Sequence, residues 1–215
     1  MRLNTFVNRV LDCIDDEDIV IFSNSELSCL GYKDENRFFY FLNDNSLSIS
    51  FALGVALSTN NRVILLCTDQ DLISNFSSIL QAGVSNRTNL IIICFTMGSY
   101  DSIDGINNIG SSIKSFIHLS FGSGFITYDH TNHFTPPADK NYKNFFKRIN
   151  NASSSILVLL NSDTSSNKNI ELPNINKFEM VNNLSLYIES KIEKEEKTLA
   201  QELLEVNDVL RKHSA

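Results

Sequence analysis

The segment VILLCTDQD, from Val63 to Asp71, constrains the fold more than any other part of the chain. Its five consecutive apolar residues stop at small and acidic side chains, a pattern typical of a strand that is buried on both faces and ends in a site. A second apolar run follows at 90–95, and the spacing within 72–89 predicts a connecting helix that Gly83 caps. Strand, helix and strand predict one right-handed βαβ unit, which brings Asp69 beside the loop after the second strand.

Apolar runs and helical spacings extend this unit in both directions along the chain. They predict further strands at 19–22, 37–42, 125–128 and 155–160, and helices at 3–14, 47–57 and 141–149. The alternation predicts an α/β fold, a doubly wound, mainly parallel sheet with helices on both faces. Residues 115–119 fit either a strand or the start of a helix. Gly54, inside a predicted helix, indicates close packing against a neighbouring element.

The character of the chain changes from Phe178 onward. Apolar residues there are spaced by three, four and seven through a charged segment, which predicts one long amphipathic helix. We therefore divide the chain into an α/β domain at 1–175 and a helical extension at 176–215. The apolar stripe of the helix must be buried, either against the domain or against another subunit, and the sequence leaves both open.

The net charge and the cysteine pattern indicate which kinds of partner and which cellular compartment to expect. The net charge of −7 and a pI near 5.1 give no reason to expect a nucleic acid or an anionic membrane as partner. The four cysteines are scattered without paired spacing, so we interpret them as small core residues in a reducing compartment. No apolar stretch reaches the length of a membrane span, and the first residues do not open a secretion signal. These features predict a cytoplasmic protein.

Asp69, a helix and a second strand ending in Thr96-Met97-Gly98 resemble the thiamine diphosphate-binding motif. In that motif a Gly-Asp-Gly triplet is separated by a βα connection from an Asn-Asn or Asp-Asn pair. The flanking sequences SFALGVAL (50–57), LQAG (80–83) and GSYDS (98–102) resemble the phosphonopyruvate and sulfopyruvate decarboxylases. The resemblance spans about residues 1–175. It implies the thiamine diphosphate-binding fold, with 1–175 as its diphosphate half and with thiamine diphosphate and Mg²⁺ as cofactors.

The resemblance also implies which residues line the site. Asp69 and the backbone carbonyl of Ser99 correspond to metal ligands, whereas Met97 replaces the family's Asn with a soft thioether. Thr68 and Gln70 replace the glycines on either side of Asp69, and a side chain at the second position takes space near the diphosphate. The loop at 23–25 can cap a helix or contact a ligand. The predicted cofactor-binding residues are Ser23, Asn43, Asp44, Ser46, Thr68, Asp69, Gln70, Thr96, Gly98, Ser99 and Asp101.

In the enzymes of this family, the carboxylate that activates the cofactor comes from a different domain, often on a separate chain. The resemblance therefore implies no catalytic residue in this chain and a requirement for a partner. We predict the thiamine diphosphate-binding half of a 2-oxoacid decarboxylase of the phosphonopyruvate or sulfopyruvate type. Its partner is another copy in a homodimer or a pyrimidine-binding subunit in a hetero-oligomer. The alternative is a non-catalytic scaffold or regulatory relative that has lost tight cofactor binding.

Overall fold

A parallel β-sheet forms the centre of the molecule. The computed structural model describes residues 3–42, 47–96, 118, 120–130, 145, 149, 153–161 and 173–213. The strands are β1 (Ile19–Phe22), β2 (Phe38–Tyr40), β3 (Val63–Thr68), β4 (Leu90–Thr96), β5 (Ile126–His130) and β6 (Ile156–Asn161). The helices are α1 (Leu3–Leu11), α2 (Ser25–Gly31), α3 (Ser48–Ser58), α4 (Asp69–Ser74), α5 (Phe76–Val84) and α6 (Lys177–His213).

The strands pair in the order β2-β1-β3-β4-β6-β5, and every pairing is parallel. β3 lies between β1 and β4, and all six of its residues are buried, as its unbroken apolar run predicts. β6 inserts between β4 and β5 although it follows β5 in the chain. The predicted α/β fold with a parallel sheet is confirmed. Of the segment 115–119, the structure describes residue 118, which is helical.

Helices cover both faces of the sheet because successive strand residues point to opposite sides. In β1, Val20 and Phe22 join a core that α1 also enters, whereas Ile19 and Ile21 join a second core with residues of α3 and α5. The ring of Phe6 in α1 lies 6.3 Å from the ring of Phe95, measured between centroids. This two-sided core is the doubly wound arrangement predicted from the sequence.

Two helices, α4 and α5, replace the single helix predicted between β3 and β4. Asn75 separates them, with φ −112° and ψ 32°. Its side-chain Nδ2 donates to the backbone carbonyl of Asp71 at 2.8 Å. Such local side-chain bonds compete with continuation of a helix, and they explain the break. The second helix, α5, ends at Val84, one residue beyond the glycine at which the sequence predicted the helix to end.

Both predictions about glycines were wrong. Gly83 is not a cap but lies inside α5, where a Cβ would stand 2.7 Å from Ser123 Oγ and 2.8 Å from Phe125 Cδ2. The left-handed backbone conformation occurs instead at Asn86, with φ 51°. Gly54 does not mark close packing, because a Cβ there would have no atom within 4 Å. Close packing is therefore the reason for Gly83 and not for Gly54.

The long C-terminal helix is confirmed as α6. Its first half packs on the domain: Leu184 is 3% exposed, and Met180 Sδ accepts a hydrogen bond from the Tyr40 amide at 3.3 Å. Farther along, Leu199 and Leu204 are 59% and 67% exposed. The apolar stripe is thus buried against this chain only in part. In the described ranges, no helix combines the length and the apolar character needed to cross a membrane.

Candidate functional site

The carboxyl ends of β1, β3 and β4 lie side by side at one edge of the sheet. Phe22 is paired with Leu66 across β1 and β3, and Thr68 with Phe95 across β3 and β4. Asp69 directly follows β3, so it lies next to the end of β4. Ligands of open parallel sheets bind at this edge. The predicted neighbourhood of Asp69 and the end of the second strand is therefore present.

Asp69 is the first residue of α4, and its side chain is almost completely buried at 2% exposure. Its Oδ1 accepts a hydrogen bond from the backbone N–H of Gln70 at 3.1 Å. A carboxylate oxygen is the kind of ligand that a hard cation such as Mg²⁺ takes in proteins. Asp69 is therefore a residue at a strand tip whose carboxylate could hold a hard cation.

A second carboxylate, Asp71, lies two residues farther along and has no exposed surface. Its Oδ2 accepts hydrogen bonds from Thr68 N at 2.7 Å and from Thr68 Oγ1 at 2.9 Å. The same oxygen accepts from Asn24 Nδ2 at 3.1 Å and from the hydroxyl of Ser23. One carboxylate oxygen therefore joins the tip of β3 to the tip of β1.

The other oxygen of Asp71 is unsatisfied. Asp71 Oδ1 is buried and makes no hydrogen bond with any residue that the structure describes. A buried polar atom without a partner is unfavourable by about 1–3 kcal/mol, so such an atom calls for a specific explanation. Among the described residues, the Asp71 carboxylate is therefore bound through one oxygen only.

Sequence reasoning missed Asp71, although a local signal was available. Thr68 and Asp71 form a capping box, the reciprocal pair of side-chain and backbone hydrogen bonds that starts α4. The spacing of a threonine and an acidic residue three positions apart is the signature of this motif. What the spacing does not reveal is that Ser23 and Asn24, far away in the sequence, bind the same oxygen.

The loop after β1 caps helix α2, which is one of the two roles predicted for it. Asn24 is the N-cap of α2, and its side-chain oxygen accepts from Leu27 N at 3.0 Å. Ser23, predicted to contact the cofactor, has no exposed surface and donates its hydroxyl hydrogen to Asp71. The described geometry therefore places Ser23 at the strand tips but engages its hydroxyl within the protein.

Thr96 ends β4, and its hydroxyl donates to the carbonyl of Leu160 in β6 at 3.1 Å. This bond is made to the strand on the opposite side of β4 from Asp69. Thr68 and Gln70 flank Asp69, as the sequence requires, and Gln70 is half-buried. The remaining predicted site residues lie outside the described residues: Asn43, Asp44, Ser46, Gly98, Ser99 and Asp101.

Two cysteines lie in the strands that lead to the site. Cys67 and Cys94 are register partners in β3 and β4, and both are fully buried. Burial raises the pKa of both thiols, and the nearby carboxylates Asp69 and Asp71 raise it further. A thiol with a raised pKa is a poor nucleophile, so these residues act as core side chains. The chain's four cysteines all lie in described residues and form no disulfide.

Comparison with known protein sequences finds relatives among the sulfopyruvate decarboxylase β subunits. No protein-family profile matches the chain. The β subunit of sulfopyruvate decarboxylase from Methanothermobacter thermautotrophicus is 28% identical over 118 residues, which cover 51% of this chain and 63% of that subunit. The corresponding subunit from Methanocaldococcus jannaschii is 26% identical over 98 residues, 45% of this chain and 52% of that subunit. The chain thus spans roughly half to two thirds of these relatives.

Solved structures agree on the architecture. Benzoylformate decarboxylase from Polynucleobacter necessarius superposes with a TM-score of 0.60 at 12% identity, over 81% of this chain and 34% of that one. The thiamine diphosphate-dependent 4-hydroxybenzoylformate decarboxylase of Rhodococcus jostii RHA1 gives 0.56 at 14% identity, over 76% and 33%. The chain has the thiamine diphosphate-binding fold. The resemblance stated from the sequence is confirmed at this level.

The described strand tips carry both a carboxylate and a set of hydrogen-bond donors. Asp69 provides a buried carboxylate at the strand tip, which suits Mg²⁺. The donors of Ser23, Asn24 and Thr68 suit an anion, because they already bind the carboxylate of Asp71. Within the described residues, no group of three or more His, Cys, Asp or Glu side chains forms a metal cluster. Asp69 therefore suits the metal ion in type of group, whereas the donors that suit a diphosphate are occupied by Asp71.

Proposed function

We propose that this chain is the diphosphate-binding subunit of a 2-oxoacid decarboxylase assembly of the sulfopyruvate or phosphonopyruvate type. One observation carries the proposal: Asp69 stands at the tip of β3, beside the end of β4, in a sheet with the thiamine diphosphate-binding fold. The sequence similarity to two sulfopyruvate decarboxylase β subunits supports the choice of substrate class.

The proposal includes thiamine diphosphate and Mg²⁺ as cofactors. Asp69 would hold the metal ion through a carboxylate oxygen, together with the carbonyl of Ser99 that the family motif implies. Thiamine diphosphate, when bound, supplies an electron sink for the carbanion that decarboxylation produces. The role of this chain is to anchor and orient the charged end of the cofactor, and we assign no catalytic residue to it.

A partner is part of the same proposal. The matched relatives are β subunits by name, which supports an assembly of unlike chains. We expect a pyrimidine-binding subunit to supply the carboxylate that activates the cofactor, and we expect the assembly to act in the cytoplasm. A homodimer remains the other predicted arrangement.

A specific observation favours a second candidate, a non-catalytic scaffold or regulatory relative. Thr68 and Gln70 put side chains at both positions next to Asp69, where the family motif has glycines. Met97 also stands where the motif has an amide ligand. Side chains at these places reduce the space and the ligands available to a magnesium diphosphate.

Thermal unfolding with and without the cofactor separates the two candidates. At a ligand concentration a hundred times Kd, binding stabilises the folded state by about 2.7 kcal/mol. For a chain of this size, that energy raises Tm by roughly 5–11 °C. The Asp69→Asn variant keeps the shape of the side chain and should lose the shift that requires Mg²⁺.

Each outcome assigns the function. A shift in the wild type that disappears in the variant supports the cofactor-binding subunit. No shift at millimolar thiamine diphosphate and Mg²⁺ supports the non-catalytic relative. Addition of a purified pyrimidine-binding subunit then tests decarboxylation of a panel of 2-oxoacids, with product carbon dioxide as the measured quantity.

A further inference from the structure

The donors at the tips of β1 and β3 already bind an anion, and that anion belongs to the protein. Four hydrogen-bond donors converge on Asp71 Oδ2: the Asn24 amide, the Ser23 hydroxyl, and the backbone N–H and hydroxyl of Thr68. Two of these residues follow β1 and the third is the last residue of β3, so donors at least 44 positions apart in sequence (24 to 68) meet at one edge of the sheet. Such convergence of donors is how proteins hold phosphate and carboxylate groups.

We propose that Asp71 is an internal competitor for the diphosphate, because it occupies the donors of Ser23, Asn24 and Thr68 that an incoming phosphate oxygen would use. The inference rests on the proposed function, since it concerns the same strand tips. In this role, Asp71 lowers the affinity of the chain for diphosphate esters and for inorganic diphosphate.

Competition follows from the chemistry of the groups. The amide N–H of Thr68 and the hydroxyls of Ser23 and Thr68 each have one hydrogen to donate, so each serves one anion at a time. Two anions that shared these donors would also stand within a few ångströms of each other and repel. A phosphate oxygen therefore binds here only after the Asp71 carboxylate has left.

Displacement is feasible because Asp71 is only half satisfied. Its Oδ1 is buried without a hydrogen-bond partner among the described residues. Departure of the carboxylate therefore relieves one unfavourable burial while it breaks the bonds to Oδ2. Asp71 is thus a competitor that sets an affinity, not a permanent block.

Removal of the carboxylate tests the proposal. In the Asp71→Ser variant, calorimetric titration with inorganic diphosphate in the presence of Mg²⁺ should give a Kd at least tenfold lower than in the wild type. The same gain is expected with thiamine diphosphate. Asp71→Asn keeps the side-chain shape and loses the charge, so its affinity should lie between those of the wild type and the serine variant.

The matched control is Asp34→Ser. Both serine variants change the net charge from −7 to −6, because each removes one carboxylate. Asp34 is exposed and lies before β2, at the amino-terminal edge of the sheet, opposite the strand tips. A gain that also appears in this control would be a general effect of charge and would overturn the proposal.

Three further results would overturn it. One is unchanged affinity in both Asp71 variants; another is a loss of Mg²⁺-dependent binding in Asp71→Ser, which would make Asp71 a metal ligand. The third needs only the wild type and remains available if the variants do not fold. We expect thiamine diphosphate to bind less than tenfold more tightly than thiamine, and a ratio of tenfold or more would refute competition at the diphosphate end.

The same titrations distinguish a failure of the competitor role of Asp71 from a failure of the proposed function. If Asp71→Ser gains affinity for inorganic diphosphate and neither protein binds thiamine diphosphate, the competitor stands and the decarboxylase subunit does not. If the wild type binds thiamine diphosphate with high preference over thiamine, the subunit stands and the competitor does not.

Discussion

Substitution of alanine for glycine should have opposite effects in two helices of this fold. Gly54 lies in the interior of α3, where a Cβ would have no atom within 4 Å. Gly83 lies in α5, where a Cβ would meet Ser123 Oγ at 2.7 Å and the Ser123 carbonyl oxygen at 2.8 Å. The Gly54→Ala and Gly83→Ala variants therefore make the same chemical change in an open and in a filled environment.

The expected energies follow from these contacts. Alanine is favoured over glycine in a helix by about 0.5–1 kcal/mol, partly because it restricts the unfolded chain. Gly54→Ala should gain roughly this amount. At Gly83, a new methyl group within 3 Å of backbone forces overpacking that costs about 1–3 kcal/mol. After subtraction of the helix gain, Gly83→Ala should lose roughly 0–2.5 kcal/mol, with about 1 kcal/mol at the centre of this range.

Urea unfolding monitored by circular dichroism measures both variants against the wild type. The free energy of unfolding should rise for Gly54→Ala and fall for Gly83→Ala, with Tm changes of opposite sign of a few degrees. Alanine restricts the unfolded chain equally in the two variants. The difference between their free energies of unfolding therefore reports the environment of each residue in the folded state. Stabilisation by Gly83→Ala would show that α5 does not pack against the segment at Ser123 as described.

Two other predictions concern the C-terminal helix and the alkaline limit of stability. Leu184 is 3% exposed, so Leu184→Ala should lower the free energy of unfolding in urea by about 2–5 kcal/mol. Leu199 is 59% exposed, so Leu199→Ala should change it by less than about 0.5 kcal/mol. Equal losses in the two variants would contradict the packing of α6. Burial raises the pKa of Tyr40, whose hydroxyl donates to the Lys33 carbonyl at 2.8 Å. The unfolded state therefore loses this proton first, and stability should fall as pH rises above about 10. Tyr40→Phe should show a smaller fall in unfolding midpoints between pH 8 and 10.5, and an unchanged pH dependence would refute the assignment.

The strands were predictable because their signal is local. A continuous apolar run such as 63–68 can be satisfied only by burial on both faces, which in turn requires a parallel sheet with helices on either side. The apolar spacing of α1 and the capping of α2 by Asn24 are also encoded by neighbouring residues, and both are present in the structure. The position of Asp69 followed from the same reasoning, since the end of a strand marks the edge where ligands bind.

The features that were missed depend on particular atomic contacts, most of them between distant parts of the chain. The sequence predicted a cap at Gly83 and close packing at Gly54, and only the atoms around each glycine show that the close packing is at Gly83. The break at Asn75 arises from a side-chain bond whose geometry no propensity specifies. The insertion of β6 between β4 and β5 likewise reflects pairing that sequence order does not encode.

Hydrophobic periodicity in the sequence is enough to predict the class of fold and the strand tip at which the acidic residues lie, because it records which faces are buried. The roles of those acidic residues depend on tertiary contacts. Asp69 and Asp71 are the same residue type two positions apart in the segment DQD, and it is Asp71 that accepts hydrogen bonds from the side chains of Ser23 and Asn24. The cause is physical: hydrogen bonds depend on distances between atoms, and folding brings those donors within 3.1 Å across two strands.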